Sequence, residues 1–181
     1  MTREINSVAV IGGGTMGAGI AGKCADAGCK VLLLEINEEA AAKAMERITG
    51  GRSPAIENPE SAKLIETGTF DDLDRIAGYD WICEAVIEDL ATKRDLFVKL
   101  DAARSPGSVI STNTSGIPLR SIVEGMPESL RRDVVVTHFF NPVKVMKLLE
   151  VVPGEDTTPD VVAAMAAFGA DKLGKGVVHA K

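Results

Sequence analysis

The sequence has no long apolar run. No stretch approaches the 18 or so residues a membrane span needs, and the N-terminal M-T-R-E-I-N leads into a strand without a signal-peptide core. Cysteine and histidine are scarce. The 3 cysteines, Cys24, Cys29 and Cys83, are odd in number and form no C-x-x-C pair, and there are 2 histidines, so neither a disulfide framework nor a metal site is expected. A reducing, cytoplasmic setting fits that usage. Excess positive charge is missing too: 20 Lys and Arg stand against 26 Asp and Glu, giving a net charge of −6 and a pI near 5.0. That balance argues against non-specific binding to nucleic acid or to anionic membrane surfaces. No internal repeat or low-complexity tract occurs.

What is present is an α/β pattern in one chain of 181 residues, 45% hydrophobic and with 18 glycines. It is organised around Val8 to Gly19, V-A-V-I-G-G-G-T-M-G-A-G. Here an apolar strand, Ile5 to Ile11, turns into a helix. Gly12, Gly14 and Gly17 have the spacing G-x-G-x-x-G: the first allows a tight turn, the second lets a pyrophosphate reach the backbone, and the third lets the helix pack closely. The free N–H groups of the first helical turn, at Thr15 and Met16, then face the phosphates with the helix dipole behind them. Met16, Ile20 and Cys24 recur at helical spacing, and Gly28 is placed to end the helix. A second apolar run, Lys30 to Leu34, ends in Glu35, 18 positions after Gly17 and near the about 20 expected of the acidic residue that binds an adenosine ribose. A carboxylate there repels a 2′-phosphate, so NAD is the expected cofactor rather than NADP.

Further along, Asn37 to Thr49 reads as a crossover helix, with Ala41, Ala44, Met45 and Ile48 on one face. Gly50 to Pro59 breaks regular structure, Glu60 to Glu66 reads as a short helix, and Asp71 to Ala77 as another. Strands are predicted at Asp80 to Ala85, Ser108 to Thr112, Asp133 to His138, Met146 to Val152 and Gly176 to His179. Helices are predicted at Leu90 to Arg104, Ile117 to Glu124 and Asp160 to Leu173. The alternation implies a Rossmann-type, doubly wound, mostly parallel sheet with helices on both faces. The short connections late in the chain make the sheet mixed.

The densest polar constellation is H-F-F-N-P-V-K-V-M-K-L-L-E, His138 to Glu150. Hydride transfer from an alcohol needs a base for the hydroxyl proton, and an imidazole suits that near neutrality. If the following strand returns beside His138, Glu150 can orient the ring. The pattern alone leaves His138 open between a base and a structural strand-end residue. Asn113 and Ser115, in N-T-S-G, lie in a turn at the carboxyl edge of the sheet, where such folds bind ligands.

The sequence resembles the NAD-binding domain of the L-3-hydroxyacyl-CoA dehydrogenases over its whole length. The resemblance rests on four blocks: I-G-G-G-T-M-G-A-G-I-A (Ile11 to Ala21), E-A-V-I-E-D-L-A-T-K (Glu84 to Lys93), S-T-N-T-S-G (Ser111 to Gly116) and the His138 to Glu150 segment. It implies that His138 is the catalytic base, Glu150 its partner and Ser115 a hydrogen-bonding residue beside the reacting oxygen. It places Asn141 next to the nicotinamide, Asn113 and Ser115 among the cofactor contacts, and Ala85, Glu88 and Lys93 along the cofactor cleft, with Glu35 in place of the more usual aspartate. The implied activity is NAD-dependent oxidation of (3S)-3-hydroxyacyl-CoA in fatty acid β-oxidation. Action on another 3-hydroxy acid, or NAD binding without turnover, are the alternatives.

The sequence departs from the family in two places. The stretch between Glu35 and Asp80 is short, so the helical excursion that contacts acyl-CoA is expected to be trimmed. The chain ends at His179-Ala180-Lys181, where the family continues into a helical domain carrying part of the substrate pocket and most of a dimer interface. The expectation is therefore an excised NAD-binding domain, residues 1–181. Its parent resembles long bacterial forms with a fused crotonase-like hydratase domain, and the complete protein is expected to be a homodimer.

Overall fold

Buried runs of β-branched and leucine residues dictate the centre of the molecule. In the computed structural model, which describes residues 3–181, β1 (Ser7–Ile11), β2 (Lys30–Glu35), β4 (Trp81–Glu84) and β5 (Val109–Thr112) are almost entirely buried. That is why they read as continuous apolar strings: helices cover both faces of a parallel sheet. Together with β3 (Ile65–Thr69), β6 (Val134–Phe139), β7 (Leu148–Pro153) and β8 (Gly176–His179), they form one eight-stranded sheet of order β3-β2-β1-β4-β5-β6-β7-β8. The order 3-2-1-4-5-6 is that of dinucleotide-binding folds, and the strand order switches sides of β1 between β3 and β4, with β1 and β4 parallel neighbours.

The helices divide the core in two. On one face α1 (Thr15–Asp26), α2 (Glu38–Thr49) and α6 (Pro159–Ala167) close over Val8, Val10, Leu33, Trp81 and Phe139. On the other, α3 (Leu90–Ala103), α4 (Leu119–Val123) and α5 (Glu128–Arg131) join a 3₁₀ segment at Phe70–Gly78 over Ala9, Ile11, Ile82, Ile110 and Val136. Asn37 caps α2 by accepting from Ala40 N at 2.8 Å, and Asp89 caps α3 by accepting from Thr92 N at 2.9 Å. Among the described residues no helix is long and apolar enough to cross a membrane.

The sheet is mixed, as the short connections imply. Only residues 140–147 link β6 to β7, too few for a crossover, so these strands pair antiparallel, with His138 opposite Glu150. Other expectations need correction. Residues 65–69 form an edge strand that the sequence hides, because I-E-T-G-T is short, half polar and interrupted by glycine. The short helices expected at Glu60 to Glu66 and Asp71 to Ala77 are 3₁₀ segments at Pro59–Leu64 and Phe70–Gly78. The last helix stops at Ala167 and loosens into a π turn at Phe168–Lys172, and α5 had no sequence signal beyond one turn of E-S-L-R.

Candidate functional site

The glycine turn is built from backbone. Gly12 has φ 102°, and a Cβ there would stand 2.6 Å from Ala85 O; at Gly17 it would stand 1.8 Å from Gly12 O. These two positions let β1, β4 and α1 converge. Gly14 is different: a Cβ on it meets nothing within 4 Å, so its space is open outward. It is also the N-cap of α1, with no side-chain cap and no acidic residue in the first turn, which leaves the N–H groups at Thr15 and Met16 unopposed. An uncapped helix start facing open space fits the pyrophosphate of a dinucleotide.

Around this turn the structure adds a contact for Glu35 and residues the sequence did not single out, Arg47, Ile36 and Ile87. Glu35 accepts from Gly13 N at 3.0 Å and from Ile36 N at 2.8 Å, so the proposed ribose ligand already grips the glycine turn. Arg47, one helical turn beyond Ala44 on α2, donates to Gly13 O at 2.9 Å. Ile36 and Ile87 project from the ends of β2 and β4, 69% and 70% exposed, as apolar walls on either side of β1.

Lys93 requires a correction. Expected along the cleft, it is 1% exposed and lies beneath the turn after β4, where its ammonium donates to Glu84 Oε2 at 2.7 Å. Glu84, itself 0% exposed, also accepts from Val86 N at 2.8 Å and Thr112 Oγ1 at 2.7 Å. A buried pair with its remaining lone pairs satisfied ties the ends of β4 and β5 to α3. Lys93 also reaches Val86 O at 3.5 Å, so it is tied to the backbone after β4 rather than exposed along the cleft. Glu88 stays exposed and meets the Thr114 hydroxyl across the cleft.

At the other half of the same edge, side chains make the site. His138 Nδ1 lies 3.6 Å from Glu150 Oε2, an electrostatic contact longer than a hydrogen bond, and the ring packs edge-on against Phe140 with centroids 4.5 Å apart. Nδ1 facing the carboxylate leaves Nε2 free. Asn113 Oδ1 accepts from Phe139 N at 2.9 Å, so this residue clamps β5 to β6 and keeps only its amide donors for other partners. Ser115 is exposed and shares a cavity of about 560 Å³ with Thr114, His138 and Glu150. Asn141 opens the β6–β7 connection and is exposed beside Thr15 in a second groove. The three thiols are buried and inert, burial and then the neighbouring Glu84 carboxylate pushing Cys83 up to about 12. Among the described residues no cluster of metal-ligating side chains occurs.

An uncapped glycine turn and a histidine–carboxylate pair thus share one sheet edge. Residues 7–181 match the profile described as "3-hydroxyacyl-CoA dehydrogenase, NAD binding domain". The chain belongs to that family. A relative from Deinococcus radiodurans named "Probable 3-hydroxyacyl-CoA dehydrogenase" is 43% identical over 185 residues, covering 98% of this chain and 54% of the relative. One of the same name from Bacillus subtilis strain 168 is 35% identical over 203 residues, covering 100% of this chain but 26% of the relative. Among solved structures, 3-hydroxybutyryl-CoA dehydrogenase of Escherichia coli K12 superposes with a TM-score of 0.85 at 36% identity, covering 97% of this chain and 38% of that one. This NAD-binding domain therefore spans 54% of the first of these curated relatives and 26% of the second, and its cofactor is NAD.

Proposed function

We propose that this chain is the cofactor-binding half of an enzyme that oxidises (3S)-3-hydroxyacyl-CoA to 3-oxoacyl-CoA in fatty acid β-oxidation. In this reading residues 1–181 carry NAD and the catalytic dyad, and a helical domain of the longer, dimeric protein completes the acyl pocket. The observation that supports it most is the antiparallel register that sets His138 against Glu150 at the carboxyl edge shared with the glycine turn.

NAD, when bound, supplies the hydride acceptor for C3. The chain's own residues do the rest. The first turn of α1 at Gly14, Thr15 and Met16, with Gly12 and Gly17 shaping the turn, receives the pyrophosphate, and Glu35 receives the ribose. Ala85, Glu88 and, through its ion pair, Lys93 shape the wall toward the nicotinamide, where Asn113, Ser115 and Asn141 contribute hydrogen-bonding groups. His138 Nε2 takes the C3 hydroxyl proton while Glu150 at Nδ1 stabilises the resulting imidazolium, and Ser115 supports the reacting oxygen. The substrate's phosphates have a matching surface. Lys43, Arg47, Arg52 and Lys144, with the single carboxylate Glu46, line a groove of about 680 Å³ beside Asn141. It lies beside the 50–55 loop, in the stretch where the helical excursion is expected to be trimmed, and we assign it to the CoA phosphates.

The test uses the longer enzyme. His138→Gln is expected to lower turnover by about 10²–10⁴ while NAD affinity stays near wild type, since proton transfer is a transition-state effect. Glu150→Gln is expected to lose less, because the base remains. Wild-type turnover in His138→Gln would overturn the assignment.

A further inference from the structure

Lys175 is 7% exposed and among the described residues has no carboxylate partner: its ammonium donates to the carbonyl oxygens of Val143 and Met146. Those carbonyls belong to the connection between β6 and β7 that begins at Asn141, directly after the His138 strand. A lysine desolvated this far is costly to keep charged unless it satisfies groups that nothing else reaches. Burial does lower its pKa, with Lys23 and Lys147 as the nearest like charges. The arrangement is therefore not a stabilising ion pair. It is a cation bridging two carbonyls.

What those carbonyls hold in place is informative. Val143 is 3% exposed and wedges against α1 at Gly19, where a Cβ would stand 2.9 Å from Val143 Cγ2. Lys144 reaches the other wall of the basic groove, donating to Pro54 O at 2.6 Å. The loop also closes on itself through Val145 N and Met146 N, both donating to Pro142 O, and Gly176 N donates to Lys147 O at 2.7 Å. So the segment that presents Asn141 is pinned from three sides: from below by Lys175, against the phosphate-binding helix by Val143, and against the 50–55 loop by Lys144. Lys175, in the turn that enters β8, bridges two carbonyls of the segment, at Val143 and at Met146.

We propose that Lys175 is a positioning residue for the nicotinamide half of the site, setting Asn141 at its distance from α1 by holding the carbonyls of Val143 and Met146. This rests on the proposed function, in which Asn141 neighbours the nicotinamide, and it adds a residue remote from that ring. The adenosine half, built on Glu35 and the glycine turn, has no contact with Lys175.

That asymmetry supplies the test. NADH and ADP-ribose are titrated against the 181-residue chain and its variants; the second probe has the pyrophosphate and both riboses but lacks the nicotinamide. Lys175→Met is expected to weaken NADH by about tenfold, the effect of leaving buried acceptors unpaired, while ADP-ribose affinity changes less than about twofold. Lys175→Arg, which keeps a donor, is expected to recover most of the loss. Gly19→Ala pushes Val143 from the opposite side without touching Lys175, so it is expected to give the same NADH-selective loss, and it decides the matter if Lys175→Met does not fold. Equal weakening of both probes, or of neither, in the variants that fold would overturn the assignment. Failure of wild type to bind either probe would instead overturn the proposed function itself.

Discussion

The two halves of the carboxyl edge are made by different means. Between β2 and β4, backbone does the work: glycines bring three segments within contact and leave N–H groups bare, and Glu35 is the main side chain with a direct part. Between β5 and β7, side chains do it: His138 comes from β6, Glu150 from β7 and Asn113 from the turn after β5, and the dyad exists because β6 and β7 are antiparallel. A backbone-built site is written locally, in spacing. A side-chain-built site depends on long-range register.

The largest way to break this contrast is Gly17→Ala. The added methyl meets the Gly12 carbonyl at 1.8 Å, a backbone atom that cannot rotate away. Loss of about 3 kcal/mol of stability is expected, read by denaturant unfolding, with NAD binding lost as well. Gly14→Val sharpens the contrast, because a Cβ on Gly14 touches no protein atom. Unfolding is expected to stay near wild type while calorimetric titration shows no NAD binding. An unfolded Gly14→Val chain would mean that the open space belongs to the fold rather than to the ligand.

The smallest effect concerns acid. Beneath the β6–β7 half, Arg3 pairs with Asp133 at 2.8 Å and Asp160 at 2.7 Å. The Thr158 hydroxyl and then Arg3 hold the Asp160 carboxyl down, to about 2 from 3.8. Its folded value lies below its unfolded one, so its contribution is complete above about pH 4 and fades as pH falls toward 2. Unfolding curves of Asp160→Asn are expected to be less pH-dependent than wild type between pH 4 and 2, by a small margin because the pair is partly exposed. Parallel curves would remove Asp160 from the acid response.

The same contrast explains what could be read from the sequence. The glycine turn, Glu35, the buried central strands and the mixed sheet were legible because each leaves a local trace: spacing, an apolar string, a connection too short to cross over. The His138–Glu150 pairing followed from two strands joined by a short loop. Lys93 was placed along the cleft by the resemblance, and only the tertiary structure buries its ammonium on Glu84. β3 was invisible because edge strands tolerate polar residues and glycine. Arg47, Lys175 and the basic groove were missed for a common reason: their partners are carbonyl oxygens or open space far along the chain, and neither carries a residue type to match.

The pairing of His138 with Glu150 through a strand ladder has a consequence for how this site can fail. A ladder does not slide continuously: side chains return to the same face only every second residue, a jump of about 6.6 Å at about 3.3 Å per residue. A shift of one residue turns Glu150 to the opposite face, and a shift of two carries it out of reach of the ring. The dyad is therefore digital. Insertions and deletions in the 140–147 connection that leave the ladder unmoved should preserve it whole, and those that move the ladder should erase it, with no graded series of weakened enzymes in between.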